Sequence, residues 1–184
     1  MARYAIRIYG VGVEDDLLEW LALALSDFFN AEVSVERKGL SMGVTLKFYK
    51  PERDQVDAAA LLEYLRSTLH AAPGERFLVV VNGDGYVEGL NFVFGVARNG
   101  WGGIVFTAHL DPEFYGQEPN RALLRARLLK ESLHELGHSY GLSHCNRDCV
   151  MRFSNSVYDV DRKPARYCAR CRATLNFLQP GLLR

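Results

Sequence analysis

Apolar and polar side chains alternate along ARYAIRIYG (2–10), the period of two expected of a strand with one face in a core. The period changes in EDDLLEWLALALSDFF (14–29), where acids open the segment and apolar residues crowd the remainder, as in a heavily buried helix. AEVSVER (31–37) and GVTLKFY (43–49) return to a strand-like pattern on either side of KGLSMG (38–43), a hairpin or loop. PERDQVDAAALLEYLRSTLH (51–70) opens on proline and acids and sets Val56, Ala60, Leu61, Leu65 and Leu69 on roughly one face, which predicts an amphipathic helix. RFLVVVN (76–82) is a short unbroken apolar run, the mark of a central strand buried on both faces. LNFVFGVA (90–97) and GGIVFTAHL (102–110) read as two more strands about the turn RNGW (98–101). The strongest helical segment is PNRALLRARLLKESLHELGHSYG (119–141), with Pro119 and Asn120 as its start, Gly141 as its stop and leucines recurring on one side. Beyond 142 no clear period returns until RCRATLNFLQ (170–179). Strands and helices interleaved in this order imply an α/β (α+β) domain: one sheet with helices packed on it, plus an irregular C-terminal part.

Composition narrows the function. The 184 residues suit one domain large enough to bury its own core, with hydrophobic (48%) and charged (24%) content at the averages for globular proteins. Basic and acidic residues balance at 22 each, which argues against nucleic acid or an anionic membrane as partner, since both demand a basic excess. No segment reads as a secretory signal or approaches the roughly 20 apolar residues of a membrane span. The expectation is a cytoplasmic monomer, in a compartment where clustered thiols more often bind metal than pair as disulfides.

Three of the five histidines fall in HELGHSYGLSH (134–144). His134 and His138, four apart on a helix, stand one above the other and can share one ion through imidazole nitrogens. Glu135 points about one hundred degrees away, beside the metal rather than on it, where it can hold a water. Gly141 can take the left-handed conformation that ends the helix, and the turn brings His144 round as a third ligand. Three imidazoles and an open fourth position describe a catalytic zinc, because a structural zinc is closed by a fourth protein ligand. An HExxH alone is a common coincidence, but Gly141 and His144 at these offsets are not. His70 and His109 have no partners in sequence and read as ordinary.

All four cysteines come directly after: Cys145 and Cys149, then Cys168 and Cys171. Two close pairs joined by a loop of this length can chelate one tetrahedral zinc, fully ligated and therefore structural. Two disulfides, unrelated buried thiols or an iron–sulfur cluster use the same residues and stay open at this point. A nucleic-acid-binding zinc ribbon is disfavoured by the balanced charge.

HELGHSYGLSH fits the long zinc motif of the metzincin metallopeptidases. With Cys145, Cys149, the C-x-M that ends in Met151, and the later C-x-x-C, the stretch 134–171 resembles the archaemetzincins in particular, with LNFVFGVA as a weaker likeness. The loops between Cys145 and Cys149 and between Met151 and Cys168 are each one residue shorter than the family's usual spacing. The resemblance implies a single metzincin-like domain with a mixed, mostly parallel twisted sheet and an antiparallel edge strand. It would divide into a subdomain 1–141 ending in the active-site helix and a zinc-stapled subdomain 142–184. It also implies a zinc-dependent peptidase: His134, His138 and His144 on a catalytic zinc, Glu135 as general base, Met151 in a methionine turn under the histidines, and the four cysteines on a second zinc. A peptide or protein substrate would lie extended along an edge strand, with 90–97 favoured over 102–110. Tyr158 is a candidate oxyanion donor by its place after the methionine turn, but it reads more readily as a packing or surface residue. The alternative function is a zinc-containing peptide-binding or regulatory protein with little peptidase activity. A zinc hydrolase acting on other bonds is a further one.

Overall fold

The computed structural model describes residues 3–38 and 40–184; Ala2 of the first expected strand and Gly39 of the 38–43 loop lie outside the described residues. In chain order the elements are β1 (Ala5–Val11), α1 (Asp15–Ser26), β2 (Glu32–Glu36), α2 (Met42–Leu46), β3 (Tyr49–Lys50), β4 (Gln55–Asp57), α3 (Ala58–Thr68), β5 (Glu75–Val81), β6 (Gly85–Tyr86), β7 (Gly95–Arg98), β8 (Gly102–Phe106), α4 (Arg121–Ser139), α5 (Val157–Arg162) and α6 (Ala169–Leu178). A five-stranded sheet runs β2-β1-β5-β8-β7, and a small second sheet runs β3-β4-β6. The neighbours in the large sheet are parallel except β7, which pairs antiparallel with β8 (Val96 opposite Ile104) and forms an edge.

The unbroken apolar run of β5 hides a period of two. Leu78 and Val80 enter one core with Ile6, Ile8 and the inner faces of α1 and α4, while Phe77, Val79 and Val81 enter a second core with Ala58, Leu61 and Leu65 of α3. Each such side chain contributes about 1.5–3 kcal/mol by leaving water, so a strand covered on both faces needs no polar alternation. The first core continues into the C-terminal part through Cys149, Val150, Met151, Val157, Tyr167 and Leu175. The chain end returns to the turn after α1, where the Asn30 N–H donates to the Leu182 carbonyl at 2.7 Å. No helix among the described residues is long and apolar enough to cross a membrane.

Five expectations change. The strand read at 43–49 is mostly α2: Val44 and Phe48 satisfy an i, i+4 face as well as alternation, both pack on the second core, and Leu46, which a strand would have buried with them, is exposed. The helix expected from 51 begins only at Ala58. Asp54 takes a left-handed φ of 55°, Val56 joins a strand, and Asp57 caps the helix by accepting the Ala60 N–H at 3.0 Å. Of 90–97 only its last three residues join β7, and 102–110 ends as a strand at Phe106 before two 3₁₀ turns. α5, with its Ser156–Asp159 capping box, lies in the stretch where no apolar period marks a helix.

Candidate active site and metal centres

α4 runs for 19 residues from an Asn120 cap, whose side chain accepts the Leu123 N–H at 3.0 Å. It delivers His134 and His138 one turn apart with Nε2 atoms separated by 3.0 Å. Each ring is fixed from behind: the Nδ1–H of His134 donates to the Val150 carbonyl and that of His138 to the Leu142 carbonyl, both at 2.8 Å. A carbonyl only accepts, so Nδ1 carries the hydrogen and the two Nε2 lone pairs face each other. Bare lone pairs at that distance repel, and a cation between them removes the repulsion. The helix then stops at Gly141, with φ of 108° and Leu142 N–H reaching back to the Gly137 carbonyl at 2.9 Å. The reversal places the His144 ring 4.8 Å from His138 and 5.3 Å from His134, with one donor atom of each residue within 4.8 Å of the others.

Burial lowers the proton affinity of His134 well below the ordinary imidazole range, helped by the Lys163 charge; His138 and His144 are lowered for the same leading reason. The shift of all three favours the neutral imidazole, the form that ligates. Met151 is buried beneath them: a Cβ added at Gly137 would lie 2.4 Å from its sulfur, so the helix touches the turn through bare backbone. The Met151 carbonyl accepts the Cys145 N–H at 3.0 Å, and the Tyr167 hydroxyl donates to the Leu133 carbonyl at 2.6 Å.

Glu135 turns from the histidines toward the sheet. A Cβ at Gly95 would stand 2.6 Å from its Oε1, and one at Gly103 2.7 Å from its Cβ. Two glycines in paired strands thus open the space it occupies. Burial, then the negative charge of Glu131, push its carboxyl well above the usual range, opposed by Lys163. Glu131 lies 2.7 Å from the Lys163 ammonium in an ion pair with both side chains almost fully buried. A cleft of about 420 Å³ runs over these groups, between a wall of Leu90–Ala97 and an opposite one of Phe153–Asn155.

The cysteines form a second centre on the far side of the same loop. Their sulfurs lie within 4.8 Å of one another and all four are free, with Cys145 and Cys168 3.8 Å apart, far beyond a disulfide bond. Cys149 Sγ accepts the N–H of Cys168 at 3.3 Å and of Met151 at 3.5 Å. Burial works to raise the Cys168 thiol, yet the Cys171 N–H and the neighbouring thiols outweigh it and bring the group down to about 7. Burial raises Cys149 and Cys171. Soft donors packed this tightly match a tetrahedral cation.

Tyr158 is exposed on α5 and does not line the cleft, and His70 is likewise absent from its lining. Sequence reasoning passes over Gly95, Gly103, Glu131 and Lys163, and reads as ordinary His109, whose ring stacks on Phe92 of the cleft wall. Only the glycines carry a local signal, as residues without side chains inside strand patterns.

A family model described as peptidase family M54 matches residues 37–176. An archaemetzincin of Pyrococcus abyssi is 43% identical over 180 residues, covering 94% of this chain and 92% of its own. The crystal structure of archaemetzincin from Archaeoglobus fulgidus, complexed with malonate, is similar with a TM-score of 0.77 and 37% identity, over 92% of this chain and 98% of that one. A zinc-dependent peptidase from Methanocorpusculum labreanum gives a TM-score of 0.75 at 29% identity, over 94% of this chain and 100% of that one. Fold, histidine cluster and relatives together define a zinc metallopeptidase. The chain belongs to the archaemetzincins, peptidase family M54.

Proposed function

We propose that the protein hydrolyses peptide bonds at a zinc held by His134, His138 and His144, with Glu135 as general base, and that Cys145, Cys149, Cys168 and Cys171 hold a second, structural zinc. The observation that carries the catalytic reading is the pair of Nε2 lone pairs 3.0 Å apart, each ring locked by a carbonyl, beside a buried carboxyl at a cleft. Zinc bound there supplies the positive charge that acidifies a water and polarises a carbonyl. Glu135 takes the proton of the attacking water on its carboxylate and passes it to the leaving amine, and the burial that raises its proton affinity suits that relay. The edge of β7, beside Glu135, offers an extended peptide the backbone groups of an unpaired strand. Gly141 and Met151 act on the ligands rather than on substrate: one turns the chain to His144, the other supports the helix under His134 and His138.

Zinc-loaded protein should cleave members of a peptide library. Glu135→Gln should lower kcat by about 10²–10⁴-fold while zinc content stays at two per chain. Undiminished turnover in that variant would overturn Glu135 as the base; a wild type with both zincs and no turnover would favour a binding or regulatory role.

A further inference from the structure

The cleft wall Leu90–Phe94 lies between β6 and β7 with little regular backbone pairing of its own: Val93 N–H reaches Gly85 at 2.8 Å, and Phe94 accepts from Phe106 at 2.9 Å. Side chains hold the rest. Gln55 Nε2 donates to the Asn91 carbonyl at 2.7 Å, and Arg53 Nη2 reaches the Leu90 and Asn91 carbonyls at 3.2 and 3.3 Å. On the same stretch, the His109 ring lies flat on Phe92, centroids 3.8 Å apart and planes 10° from parallel. One group ties these supports together: Asp84 Oδ2 accepts from Gln55 Nε2 at 3.0 Å and from His109 Nε2 at 3.1 Å. Asp84 and His109 are both mostly shielded from solvent, and the Tyr115 hydroxyl fixes the far end of His109 by donating to its carbonyl at 2.8 Å.

We infer that Asp84 and His109 are positioning residues for substrate, a strut that holds the 90–94 wall at the separation from α4 that an extended peptide requires. The inference rests on the peptidase reading proposed for the cleft. Neither residue reaches the histidines or Glu135, so the strut acts on how a peptide backbone is received, not on zinc or on proton transfer. An irregular wall without such supports samples many conformations, and each one frozen on binding weakens affinity. A strut that freezes them beforehand improves binding of anything long enough to touch the wall and leaves small zinc ligands unaffected.

The test compares acetohydroxamate, which reaches only the metal, with a hydroxamate-capped Leu-Phe peptide, which also lies along the cleft. In zinc-loaded protein, His109→Ala and Asp84→Ala should weaken the peptide hydroxamate about tenfold and leave acetohydroxamate unchanged. KM for a cleaved peptide should rise about tenfold with kcat within about threefold. Asp84→Asn should bind nearly as wild type, because an amide oxygen in the place of Oδ2 still accepts from both Gln55 and His109. If His109→Ala does not fold, His109→Phe, which keeps the stacked ring and loses the bond to Asp84, should show a weaker loss of the same kind. Equal affinity of wild type for the two probes overturns the strut, as do variants that bind the peptide probe like wild type or weaken both probes alike. A wild type that discriminates between the probes and yet cleaves nothing removes the peptidase reading instead, and the strut is then decided by binding alone.

Discussion

The space around Glu135 is set by residues that have no side chain. A Cβ on Gly95 would meet Glu135 Oε1 at 2.6 Å and the Ile104 carbonyl at 2.6 Å, so neither the carboxylate nor the strand pair can yield without cost. Gly95→Ala should therefore leave zinc content intact and lower kcat/KM by about 10²-fold, the usual penalty for displacing a reacting group by about 1 Å. Zinc analysis beside steady-state kinetics checks it, and near-normal activity would show that Glu135 does not work from this position. The histidine cluster is legible in the sequence, since offsets of four and six residues on a helix and its closing turn are local geometry. Glu131 and Lys163, or Asp84 and His109, lie 32 and 25 positions apart, and no local pattern announces a pair that only the fold brings together.

At the scale of elements, α4 is readable because cap, period and stop agree: Asn120 bonds Leu123, the leucines face the core, and Gly141 carries the positive φ. The edge position of β7 comes from the family likeness, but its length does not, since Phe92 and Phe94 extend the apolar pattern into backbone that side chains hold. Short elements such as α2 are ambiguous because five residues fit both periods. α5 joins α4 through charge that the sequence hides: Arg127 grips Asp161 by two bonds of 2.8 Å, and Lys163, just past the α5 end, sits with Glu131. Removing one member of a buried pair strands the other, at a cost of about 3–5 kcal/mol. Lys163→Met should destabilise the protein by that order in denaturant unfolding, and the double variant Lys163→Met, Glu131→Leu should recover much of it. A single variant as stable as wild type would mean that the pair is solvated in solution.

For the whole molecule, the informative junction is His144–Cys145, where two donor clusters share a peptide bond. His134 and His138 are anchored through Nδ1, whereas among the described residues no hydrogen bond holds the His144 ring, which rests near Phe153 at 5.2 Å. Its position depends on the backbone just after it, and that backbone is tied to the cysteine cluster: Cys145 N–H bonds the Met151 carbonyl, and Met151 N–H and Cys168 N–H bond Cys149 Sγ. An ion bound at the cysteines would thus hold His144 in place, and binding at the two centres should be coupled. Coupling between binding sites is reciprocal, so filling either centre must raise affinity at the other by the same factor. The expected factor is about 10–100, the range seen when the supports behind a ligand are lost. Zinc titration of wild type, of Cys168→Ser with Cys171→Ser, and of His138→Ala with His144→Ala measures it from both sides. A cysteine variant that binds one zinc at the histidines with undiminished affinity would show the two centres to be independent, and the adjacency of His144 and Cys145 to carry no energy.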